Sequence, residues 1–120
     1  MFPHFLHPTV GSVRLVGGDE PTQGRVELFH AGSWMSVCAD HWTIQEARVV
    51  CRQLAMPSAT EATGGLRFGQ GNGGMSAYDY VCVSSSYQRT IFECLVERYS
   101  DCSNRSGIAG VVCGNWANGT

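Results

Sequence analysis

Six cysteines, Cys38, Cys51, Cys82, Cys94, Cys102 and Cys113, carry most of the chemistry that this 120-residue chain can offer. Thiols at this density pair with one another, hold a metal, or attack a substrate. Zinc sites bring their ligands in close pairs, and no pair here is closer than Cys94 and Cys102. An even, dense set without that signature predicts a disulfide framework and an oxidising compartment. Bridged sulfurs are then lost as nucleophiles. Other catalytic candidates are sparse: there is no Gly-x-Ser-x-Gly elbow and no paired-histidine zinc helix, and His30 and His41 stand alone. With no nucleophile–base pair to nominate, the chain reads as a non-enzyme. Spacing alone leaves the cysteine pairing open.

These cysteines need elements to hold them. Thr43 followed by Glu46 has the spacing of a capping box. Apolar positions Ile44, Ala47, Val50, Cys51 and Leu54 then recur at helical period, with Gln45, Arg48 and Arg52 off the stripe. This predicts one principal helix, ended before Pro57, with Cys51 on its inner face. Upstream, VRLVG from Val13 alternates as a strand, Gly17 to Gly24 is turn-rich, and Arg25–His30 alternates again. Val26 and Leu28 share one face, and Arg25 and Glu27 the other. A turn at Ala31, Gly32 and Ser33 leads to a third strand, Trp34–Cys38. The segment 58–74 is glycine-rich and reads as loop. Its Gly69, Gly71 and Gly74 match a dinucleotide pattern formally, but no helical period follows to meet a pyrophosphate. Thr90 and Glu93 have capping-box spacing and predict a second short helix to about Leu95; Gly110–Cys113 reads as a buried strand. The expected fold is α+β, a curved antiparallel sheet cradling one principal helix.

Charge excludes little else. The formal net charge is −2, and all eight basic residues are arginine. That balance argues against a dedicated nucleic-acid binder, and no stretch is long and apolar enough to span a bilayer. Residues 1–12 read as a flexible tail, in which His4 and His7 sit loosely. They lack a basic n-region and are broken by Pro3 and Pro8, so they do not read as a signal peptide. The chain is expected to be a domain of something longer: tail, folded unit over 13–114, and a short tail over 115–120. Sequons at Asn104 and Asn118 are glycosylation acceptors if the chain is secreted.

The words VRLVGG at 13–18, GRVELFHAGSW at 24–34, VCADHW at 37–42, ARVVCRQL at 47–54, RFGQGNG at 67–73 and AGVVC at 109–113, in order around the cysteines, are recognisable. The chain resembles the scavenger receptor cysteine-rich family, in its six-cysteine group A. Thr22 and Met56 stand where the eight-cysteine group carries an extra pair. The resemblance implies the pairing Cys38–Cys102, Cys51–Cys113 and Cys82–Cys94. It implies an extracellular module that recognises proteins or polyanionic and microbial surface ligands. It also admits a non-catalytic accessory domain of a secreted protease or amine oxidase, or a structural spacer in an adhesion protein.

The family's cation cluster is thinned here. The family has two aspartates after the first cysteine; this chain has Ala39 and Asp40. The acidic word before Cys82 retains only Asp79, and Ser106, Gly107 and Ile108 replace an acidic pair. Calcium gathers several carboxylate and carbonyl oxygens, so Asp40 and Asp79 leave a weak site, and no cofactor is required. Anionic ligands are then expected to meet arginine: Arg25 on an outward strand face, Arg67 in the glycine-rich loop, and Arg48 with Arg52 a helical turn apart.

Overall fold

The structure, a computed structural model, describes residues 12–76, 78–83, 88–98, 102 and 107–114. Both sequons and nearly all of the two tails lie outside these residues.

Strand β1 (Val13–Gly17) pairs along its length with β2 (Gln23–His30), Val13 opposite Leu28 and Gly17 opposite Gly24. The β2 strand turns into β3 (Ser33–Ser36) through Ala31 and Gly32, whose φ values of 54° and 84° give a tight turn of the twist that hairpins favour. The chain then enters helix α1 (Ile44–Gln53). Strand β4 (Ala59–Thr63) follows, then β5 (Tyr78–Val81), a single 3₁₀ turn (Ile91–Glu93), β6 (Leu95–Arg98) and β7 (Gly110–Cys113). The main sheet is antiparallel in the order β1-β2-β7-β4, with β3 also paired to β2. A separate ribbon joins β5 to β6. Strand β7 thus lies between β2 and β4, and α1 packs across β4 and β7.

The helix begins and ends by recognisable local chemistry. Thr43 caps it, accepting from the Gln45 N–H, while the Glu46 carboxylate accepts from the Thr43 N–H at 2.7 Å. At the far end Ala55 takes a left-handed φ of 59°, and the N–H groups of Ala55 and Met56 return to the carbonyls of Arg52 and Cys51. That crossed pair of bonds is the Schellman closure, here with alanine where glycine is usual. Ala47, Val49, Val50 and Cys51 are fully buried against Val26, Leu28, Val111 and Ile91. Each such aliphatic side chain contributes about 1.5–3 kcal/mol on burial. Trp42 joins this core and donates from its indole N–H to the Gly110 carbonyl at 3.0 Å.

Two expectations change. The segment 58–74 is not all loop, because ATEAT forms β4 on the far edge of β7; its alternation is short and carries no large apolar residue. The second helix is a single 3₁₀ turn, and the extended β6 starts at Leu95 because β5 offers it a partner.

The three bridges join Cys38 to Cys102, Cys51 to Cys113 and Cys82 to Cys94, and none of the six cysteines is free. This is the pairing the resemblance implies. Cys51–Cys113 fastens the inner face of α1 to β7.

Candidate functional site

The segment between Cys38 and the helix is held from two sides. Its start is bridged to Cys102, and the Ala39 N–H donates to the Gly107 carbonyl. Its end is fixed by Glu46, which is 2% exposed and also accepts from the Cys82 N–H at 2.7 Å. One buried carboxylate therefore ties the helix start to the end of β5. Sequence period placed Glu46 outside the inner stripe; the structure buries it because that backbone N–H waits there.

This clamp brings together two residues far apart in sequence. Asp79 of β5 is 3% exposed, and its Oδ2 lies 2.7 Å from His41 Nδ1. The His41 side chain is 63% exposed, so the ring is an outer cover over a buried acid. The Asp79 Oδ1 is buried and has no hydrogen-bond partner among the described residues. Asp40 is half-buried; a carboxylate oxygen of it lies within 4.8 Å of the Cys38 and Cys102 sulfurs. Those sulfurs are bridged, so they offer no thiolate to a metal.

The residues at this corner do not fit calcium. A calcium ion collects about six to eight oxygens. Ala39, Gly107 and Ile108 bring no side-chain oxygen, and Asp79 already faces an imidazole nitrogen through Oδ2. An imidazole beside the carboxylate occupies the direction that a hard cation would need.

The arginines divide into two sets. Arg25 was expected to face solvent and does not. Its side chain is 13% exposed; Nε donates to Glu27 at 3.1 Å and an NH donor reaches the Phe68 carbonyl at 2.8 Å. Glu27, expected on the outer face, is 3% exposed because Arg25 and Arg14 both cover it. Arg14 also lies over the Trp34 ring, 4.2 Å from its centre, and Trp34 meets Phe29 edge to face. Arg25 thus holds the glycine-rich loop onto the sheet rather than reaching outward. Arg67 is exposed but pairs with Glu61 and lies 5.3 Å from the Phe68 ring centre.

The second set is on the helix side. Arg48 and Arg52 are exposed on α1, as expected, and Arg52 donates to the Gln88 carbonyl at 2.6 Å. That bond sets exposed Arg89 beside the helix, a neighbour that sequence reading missed. The Thr90–Glu93 capping box was the available signal, since it starts a turn immediately after Arg89.

The scavenger receptor cysteine-rich domain family matches residues 16–114. A "Scavenger receptor cysteine-rich domain superfamily protein" of Patiria pectinifera is 39% identical over 115 residues, covering 88% of this chain and 9% of its own length. Galectin-3-binding protein of Pongo abelii is 38% identical over 88% of this chain and 18% of its own. The chain thus spans under a fifth of these relatives. Among solved structures, the third SRCR domain of murine neurotrypsin superposes with a TM-score of 0.75 at 33% identity, covering 85% of this chain and 94% of that one. The SRCR domain of mouse MARCO, in a dimeric form, gives 0.64 at 27% identity, covering 85% and 94%. Domains of this family are extracellular, and no helix of the described residues is long and apolar enough to cross a membrane. The sheet, the helix, the three bridges and these matches together make the chain a member of the scavenger receptor cysteine-rich family, group A.

Proposed function

We propose that this domain is a non-catalytic, calcium-independent recognition module that binds acidic extracellular ligands through arginine. The observation that carries the reading is the His41–Asp79 contact, which puts a side chain of this protein where a cation would otherwise neutralise the acid. Without a bound metal at that corner, positive charge for an anionic ligand must come from guanidinium groups. Arginine suits the task, since its planar fork meets sulfate, phosphate or carboxylate with paired donors. A scaffold stapled by three bridges presents such groups at little conformational cost.

A second reading, an accessory or spacer domain with no ligand of its own, is supported by the small share, 9% and 18%, that the chain makes up of its relatives. Binding to immobilised dextran sulfate separates the two. Binding that survives chelator and falls with added salt supports recognition by arginine. Loss in chelator overturns it, and no binding at low salt favours the spacer.

A further inference from the structure

Among the arginines whose side chains are described, those on the sheet side have carboxylate partners. Arg14 and Arg25 meet Glu27, and Arg67 meets Glu61. Arg48, Arg52 and Arg89 make no ion pair among the described residues, and all three are exposed. They are not scattered. Arg48 and Arg52 are one helical turn apart on α1, which sets them about 6 Å from each other at the Cβ atoms. Arg52 grips the Gln88 carbonyl, and Gln53 of the same helix accepts from the Ile91 N–H at 2.9 Å. The chain from Gln88 to Ile91, with Arg89 inside it, is therefore pinned along the C-terminal half of α1.

The acids of these elements do not cancel the arginines. Glu46 is buried and turned to the Thr43 and Cys82 N–H groups. Glu93 is exposed but directs one oxygen to the N–H groups of Arg89 and Thr90. Three exposed guanidinium groups thus face one exposed carboxylate, and that carboxylate is already engaged with backbone. No large exposed apolar side chain belongs to α1 or to residues 88–93 among the described residues. The corner consequently offers charge without a stacking surface, which suits a chain of anionic groups carried on its outside. Nucleic acid binding without sequence preference normally adds aromatic platforms.

We propose that the corner formed by Arg48, Arg52 and Arg89 is the binding site for a sulfated polysaccharide, each guanidinium meeting a separate sulfate along the chain. This rests on the recognition reading above and assigns it a place on the molecule. It also moves the site away from Arg25 and Arg67, whose donors are committed within the domain.

The test uses the whole chain and heparin as probe, measured by calorimetry or on a sensor surface. The triple variant Arg48→Ala, Arg52→Ala, Arg89→Ala is expected to lose about tenfold or more in affinity, with its thermal midpoint and far-ultraviolet spectrum checked in parallel. For the native chain, three contacts predict a fall of roughly tenfold between about 50 and 200 mM salt. Replacing the same three arginines by lysine keeps the charge and removes the fork, and is expected to recover only part of the binding. The variant Arg67→Ala is expected to bind as the native chain does. Native binding with an unchanged triple alanine variant would overturn this site and leave the recognition reading standing. No native binding to any sulfated polymer would overturn both. Displacement by duplex DNA as effective as by free heparin would overturn the assignment to a sulfated polysaccharide.

Discussion

His41 Nδ1 lies 2.7 Å from Asp79 Oδ2, joining the loop before the helix to the strand that leads into Cys82. The contact gives the buried acid an internal partner. Calcium is therefore expected to leave the thermal midpoint unchanged. A site with a dissociation constant near 10⁻⁵ M would add about 2.7 kcal/mol at ~1 mM calcium, an effect that differential scanning calorimetry resolves readily. An upward shift of several degrees with calcium, abolished by Asp40→Ala, would show that the corner binds the ion.

Glu46 is expected to matter more to stability than any exposed acid. Glu46→Ala leaves two N–H groups, those of Thr43 and Cys82, without their acceptor. Losing a helix cap together with an unsatisfied buried donor costs about 2–4 kcal/mol. Glu46→Gln retains an acceptor oxygen and is expected to cost less than half of that. Urea unfolding of the two variants checks the order; equal loss in both would mean that charge, not the acceptor, is what the site requires.

The glycine-rich loop should respond to substitution according to what lies beneath it. Gly71 has a φ of 77°, and a Cβ there would come within 2.8 Å of Arg25 Nε. Gly32 has a φ of 84° but open space around it. Gly32→Ala carries only the left-handed strain of about 1–2 kcal/mol. Gly71→Ala adds displacement of a half-buried guanidinium from Glu27 and is expected to be the more damaging of the two. If both variants melt alike, Arg25 does not hold the loop.

Tyr80 sets the alkaline limit. Burial raises its phenol above the ordinary value near 10; a hydrogen bond from the Ser76 side chain opposes the rise, and the Tyr78 charge adds to it. A folded-state value above the unfolded one means the neutral phenol contributes stability in full below pH about 10. That contribution is lost as pH rises through the folded value. Tyr80→Phe is expected to unfold less steeply with pH above 10, as followed by circular dichroism, and an identical profile would locate the alkaline sensitivity elsewhere.

What the sequence shows and what it hides divides by range. The helix and its cap are local, written in Thr43, Glu46 and the inner stripe, and they are found where the period put them. The β2–β3 turn is local too. The burial of Glu27 is not, because it depends on Arg14 arriving from β1; alternation alone puts it outside. The meeting of His41 with Asp79 spans 38 positions and has no sequence signal beyond the two residue types. Strand β4 escaped because ATEAT is short and lacks bulky apolar residues, and only its neighbour β7 makes it a strand. The cysteine pairing came from family likeness, since spacing left it undetermined.

The strand that closes the main sheet is among the last to be made. Strand β7 fills the gap between β2 and β4, so neither earlier strand has its full set of partners until Cys113 has left the ribosome. The same delay governs oxidation. Cys38 and Cys51 emerge early, yet their partners follow 64 and 62 residues later. Through most of synthesis these two thiols have only each other, so the nascent chain must pass through a window in which the wrong bridge is the nearer one. Strand β7, arriving with Cys113, resolves that contest by giving Cys51 a fixed position opposite its proper partner.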